Sequence, residues 1–157
     1  MKKTILFLYT LCFSAIAVSS DCFEMAGRDY RIDPDLLRSI SWNESRFKKS
    51  AIGVNPTTGY GVGLMQIDSQ NFEHLNRFGI TSYQLLNDEC MNAYTGAYFL
   101  ALSFKKLGVN WDAVGAYNAG FKKSKKQAER RYKYAKKIHD TYMYIKWQKK
   151  QQQTTTH

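Results

Sequence analysis

The chain has 157 residues, 44 % of them hydrophobic, with three cysteines and a formal net charge of +10. Without an N-terminal export segment, that length suits one domain around one hydrophobic core, and no second domain is expected. The positive charge is local: residues 21–120 carry nine basic against eleven acidic side chains, and residues 121–157 carry twelve against two; nucleic-acid binding through that basic segment is the weaker reading, because export would place the chain away from most nucleic acid.

Residues 1–20, MKKTILFLYTLCFSAIAVSS, run from two lysines through an apolar stretch to small residues, the build of a cleavable secretory signal. The apolar run from Ile5 to Val18 is interrupted by Tyr9, Thr10 and Ser14 and falls short of the roughly 20 residues a membrane span needs. A retained N-terminal anchor is the alternative. The mature protein, from Asp21, is expected not to span a membrane. Cys12 leaves with the signal, so Cys22 and Cys90 remain, an even pair in an oxidising compartment, and a disulfide between them is expected. Two unpaired buried thiols are the alternative. Neither cysteine has a CxxC partner or a nearby histidine pair, so no metal or other cofactor is expected.

Helical periodicity dominates the rest, which predicts a mainly α domain with at most a small hairpin or irregular loop over 50–67. Asp33-Pro34 starts a helix as N-cap and first-turn residues do. Leu37, Ile40 and Glu44 share one face of it, and Phe47 extends that face. A carboxylate thus occupies an apolar position near the helix C-terminus, where the dipole disfavours negative charge. On periodicity alone, an exposed helix-end glutamate remains the better reading. Short helices follow around residues 69–79 and 82–88, then a central helix from Asp88 ending at Gly108. A helix capped by Asn110 closes at Gly120. From Ser124 a basic helix presents Ala128, Tyr132, Ala135, Ile138, Tyr142 and Ile145 as a packing stripe. Residues 146–157 have little to bury and are expected to form a disordered polar tail, which bounds the domain at 21–145.

Three ordered motifs change the reading of Glu44: Glu44-Ser45, then Gly63-Leu64-Met65-Gln66, then Ala116-Tyr117-Asn118-Ala119-Gly120. In this order and spacing they resemble the lysozyme-like lytic transglycosylases, over residues 21–142. The resemblance is nearest to the small secreted members encoded with type III and type IV secretion systems. It implies a lysozyme-like fold and a periplasmic enzyme, working as a monomer on peptidoglycan glycan strands, with a secretion-system subunit as a further candidate partner. Glu44 would be the catalytic acid and then base, with Ser45 setting local geometry. Gly63, Leu64, Met65 and Gln66 would line the sugar cleft, Gln66 offering its amide. Tyr117 and Asn118 would orient the glutamate and contact substrate.

A glycan hydrolase usually needs a second carboxylate as nucleophile or base. The stretch Pro56 to Val62, where two-acid lysozyme relatives carry it, contains no acid. Asp68 follows the motif and is expected to cap the next helix. One carboxyl group favours an intramolecular reaction that closes a 1,6-anhydro ring on the N-acetylmuramic acid. The alternatives are a hydrolytic muramidase and a non-enzymatic wall-binding scaffold. For the basic C-terminal segment, the simpler reading is a solvated helix face attracting an acidic wall polymer, a membrane surface or a secretion-system subunit by screened electrostatics.

Overall fold

The computed structural model describes residues 21–55 and 59–155. Residues 1–20, expected to form a secretory signal, and Pro56, Thr57 and Thr58 of the acid-free stretch, lie outside them. Helices α1 (Cys22–Tyr30) and α2 (Pro34–Ser45) lead into strands β1 (Ile52–Asn55), β2 (Gly59–Val62) and β3 (Ile67–Asp68). A 3-10 turn (Ser69–Asn71) and helices α3 (Phe72–Asn76), α4 (Ser82–Asn87), α5 (Glu89–Leu107), α6 (Trp111–Ala119) and α7 (Lys125–Thr155) complete the chain.

Most of the helices begin on a polar cap that satisfies backbone N–H groups with no intrahelical partner, while α3 follows the 3-10 turn without a side-chain cap. Asp21 accepts from Glu24 N, Asp33 from Asp35 N and Asn110 from Ala113 N. Thr81 and Gln84 close a reciprocal capping box on α4. α2 stops where Arg46 and Phe47 turn left-handed, at φ 56° and 59°. Phe47 therefore leaves the helix instead of extending its apolar face; its half-exposed ring lies beside Trp42 and Phe23.

Region 50–67 holds more order than one hairpin. β1 and β2 pair antiparallel from Ile52↔Val62 to Asn55↔Gly59, and β3 adds to β2 through Gly61↔Asp68 and Val62↔Ile67. The core lies beneath this sheet, where Leu37 and Ile40 of α2, Ala97 and Leu100 of α5, Met65, Leu85 and Ile138 are fully buried. α5 runs through the middle, against α1 on one side and α6 on the other. The Cys22–Cys90 disulfide joins the first turns of α1 and α5.

α7 differs from expectation in two respects. Ala128 and Tyr132 face solvent, Tyr132 at 68 % exposure. The packing face is instead Arg131, Tyr134, Ala135, Ile138, Tyr142 and Ile145. Gly115 of α6 lets the two helices approach there, since a Cβ on it would lie 2.4 Å from the Arg131 carbonyl oxygen. The helix also continues to Thr155, through the stretch expected to be a disordered tail. Its continuation has a physical cause in Lys146 and Lys149, which reach back to the buried carboxylate of Asp35. Lys146 also pairs with Asp33.

Candidate active site

The segment Gly63–Gln66 is the turn between β2 and β3, and three helices hold it. Ser41 and Ser45 of α2 donate to the Leu64 carbonyl at 3.3 and 2.8 Å. Asn92 of α5 accepts from Met65 N at 2.8 Å and donates to the carbonyls of Val62 and Leu85. Tyr117 of α6 donates its hydroxyl to the Met65 carbonyl at 2.8 Å. Gly63 sits at φ +73°, and a Cβ there would meet Asn92 Nδ2 at 2.1 Å, so only glycine fits.

This geometry redistributes the roles expected for the turn. Gly63, Leu64 and Met65 are buried beneath the surface, so the Leu64 and Met65 side chains brace the site from the core. Gln66 is partly exposed, but its amide nitrogen donates inward to the Ala51 and Gly63 carbonyls at 3.2 and 2.9 Å. Ser45 ties the end of the glutamate-bearing helix to the turn.

Glu44 lies partly buried on the last turn of α2. Burial disfavours its charged form and raises its pKa; a hydrogen bond from Tyr134 and the charge of Lys137 oppose the rise without cancelling it. The Tyr134 hydroxyl on α7 donates to Glu44 Oε1 at 2.5 Å. Burial and the Glu44 charge push the pKa of both Tyr134 and Tyr117 well above the usual phenol range, so each remains a neutral donor. Tyr134 was missed because 3.6-residue spacing permits a stripe through Tyr132 as readily as one rotated to Tyr134. The signal available was its position four residues before Ile138.

Beside this arrangement is a cleft of about 390 Å³ whose lining includes Gln66, Asp68, His74, Tyr117 and Phe121, within the size range of small-ligand sites. Tyr117 links the two regions, lining the cleft while lying within electrostatic reach of Glu44. Asn118 is exposed on α6. Asp68 caps the 3-10 turn by accepting from Gln70 N at 2.9 Å, and also faces the cleft. A larger cavity, about 510 Å³, lies on the far side of the His74–Tyr98 hydrogen bond and contains no residue of the three motifs.

The pattern is thus one partly buried carboxyl group, raised in pKa and held by a neutral phenol, with Tyr117 between it and a cleft of about 390 Å³. A transglycosylase SLT-domain model matches residues 21–140. The chain belongs to the transglycosylase SLT-domain family. As a family member it is a lytic transglycosylase, with the mainly α, lysozyme-like architecture described above. Among its relatives, the X polypeptide of Escherichia coli strain K12 is 57 % identical over 146 residues, covering 93 % of this chain and 86 % of that protein. Invasion protein IagB of Salmonella typhimurium strain LT2 is 41 % identical over 127 residues, covering 81 % and 78 %. Protein IpgF of Shigella flexneri is 36 % identical over 141 residues, covering 90 % and 91 %. The fold is shared with the lytic transglycosylase Slt of Pseudomonas aeruginosa, solved as an inactive glutamate-to-glutamine mutant, at TM-score 0.62 and 22 % identity. The match covers 82 % of this chain but 24 % of the Slt chain, so the transglycosylase described here spans about a quarter of that length.

Proposed function

We propose that the enzyme cleaves the β-1,4 bond between N-acetylmuramic acid and N-acetylglucosamine, with Glu44 acting twice. Glu44, whose carboxyl pKa burial raises, donates its proton to the glycosidic oxygen as the bond breaks. The substrate's acetamido group stabilises the positive charge that develops at the sugar. The Glu44 carboxylate then takes the proton from the C6 hydroxyl of the muramic sugar, and that oxygen closes on C1 to form the 1,6-anhydro ring. The proton balance closes on one residue, so water is not consumed. Tyr134 steadies the carboxylate between the two steps, and the cleft beside Tyr117 receives the glycan.

The observation that carries this reading is the partly buried carboxyl group of Glu44, raised in pKa and held by Tyr134, in the Glu44-Ser45 pair within the residues the family model matches. The glutamate replaced by glutamine in the inactive Slt mutant supports it. We further infer export to the periplasm, with the cut serving to open the wall locally for a secretion apparatus. The composition of residues 1–20 and the invasion-protein relative support that setting.

Mass spectrometry of muropeptides released from purified peptidoglycan tests the chemistry. The wild-type enzyme should release anhydro-muramic ends, and Glu44→Gln should reduce release by about 10² to 10⁴-fold, the usual contribution of a general acid–base. Hydrolysed reducing ends would identify a muramidase instead.

A further inference from the structure

The outward face of α7 carries chemistry that catalysis does not use. Met143, Tyr144 and Trp147 stand together on it, 51 %, 56 % and 56 % exposed, with the rings of Tyr144 and Trp147 stacked at 6.0 Å. Lys133, Lys136 and Lys150 flank them on the same exposed face. The two acids of the helix are neutralised locally, Glu129 by Lys133 and Asp140 by Lys136. Arg131, Lys146 and Lys149 pair with Asp112, Asp33 and Asp35 on other elements, so the net positive field of segment 121–157 comes from its remaining basic residues, with Lys150 the one nearest Trp147 in sequence.

We propose that this face docks the enzyme onto an anionic lipid bilayer surface. Tryptophan and tyrosine settle at the headgroup level of a bilayer, where an apolar ring and a polar edge are both accommodated. Lysines beside them attract acidic headgroups. A single helix offers these groups on a convex surface, and none of Met143, Tyr144 and Trp147 lines any of the three described cavities. A flat charged sheet of headgroups complements that shape, where a partner protein's projecting side chain would find no pocket. Among the described residues no helix is long and apolar enough to cross a membrane, so the contact is superficial.

The geometry also separates the two activities. Tyr134 and Trp147 point about 140° apart around the helix at 3.6 residues per turn. Since Tyr134 faces Glu44, a bilayer on the Trp147 side leaves the cleft open to the wall. α7 is stiffened for such a contact by the Lys146 and Lys149 bridges to Asp35 on its other side.

Cosedimentation of the processed chain with vesicles tests the proposal independently of lysis. The protein should bind vesicles of phosphatidylethanolamine with phosphatidylglycerol, and bind vesicles of phosphatidylcholine far less. High salt should release it, since the lysine attraction is screened. The triple variant Met143→Ser, Tyr144→Ser, Trp147→Ser should weaken binding about tenfold or more, while degrading purified peptidoglycan at the wild-type rate. Trp147→Phe gives a second measurement: the blue shift of tryptophan emission on anionic vesicles should largely disappear. Absence of vesicle binding, equal binding to both lipids, unaltered binding by the triple variant, or an emission shift that survives Trp147→Phe would each overturn the proposal.

Discussion

At Glu44, burial and hydrogen bonding act in opposite directions on one proton. Burial raises the pKa, while the Tyr134 hydroxyl and Lys137 favour the carboxylate. The protonated form starts the proposed reaction, so the rate should fall as pH rises through the raised pKa. Tyr134→Phe removes the bond that favours the charged form, so the alkaline limb should move to higher pH. The maximal rate should drop about tenfold as the carboxylate loses its anchor. A rate loss without movement of the limb would assign Tyr134 a packing role only. The raised pKa also sets a sign for stability: the folded state favours the protonated carboxyl, so the favourable contribution exists below the ordinary pKa and is lost as pH rises through the raised one. At neutral pH, Glu44→Gln should therefore melt no lower than wild type, a comparison that calorimetry makes directly.

Among the elements, the β2–β3 turn and the far half of α7 each depend on one demanding position. Gly63→Ala forces a side chain into Asn92 at φ +73°, and should cost about 2–4 kcal/mol in urea unfolding. Lost wall lysis should accompany it, because Asn92 holds the turn that Ser45 and Tyr117 grip. Asp35 anchors α7. Burial works against its charge, but hydrogen bonds from Lys149, Lys146 and Arg38 outweigh it and hold the pKa at about 2. Because that value lies below the unfolded one, the stabilisation is present above the ordinary aspartate pKa and lost as pH falls through about 2. Asp35→Asn should remove about 2 kcal/mol at neutral pH and flatten the acid limb of the stability profile. A variant as stable as wild type at pH 7 would contradict this account of the helix extension.

Over the whole molecule, the Cys22–Cys90 bond closes a loop with a sequence separation of 68, tying the start of the first helix to the start of the central one. On the chain-entropy account, removing it with Cys22→Ser and Cys90→Ser should cost about 4 kcal/mol, read as a lower melting temperature. Near-UV circular dichroism of the folded double variant should retain the wild-type shape. The disulfide and the lysine–aspartate bridges at Asp33 and Asp35 fasten α1 and α7 respectively to the helices carrying Asn92 and Glu44. The site thus depends on contacts distant in sequence.

The sequence by itself determined the starts of α2, α5 and α6 and the three motifs, because caps, glycine stops and short spacings are local properties of the chain; the Cys22–Cys90 pair followed from there being two cysteines after residue 20, and α1 (Cys22–Tyr30) was not read. Glu44 was legible as a carboxylate on an apolar face, and the role proposed for it rests on the ordered motifs. Only the tertiary structure decided which way those residues point. It turned Gly63, Leu64 and Met65 into the core, directed the Gln66 amide inward and rotated α7 so that Tyr134 meets Glu44. It also carried α7 past Ile145 to Thr155. These outcomes depend on long-range partners, Asn92, Tyr117 and Asp35 among them, whose proximity no local spacing encodes. A 3.6-residue repeat specifies that a helix has an inner face but leaves its rotation to the surface against which it packs.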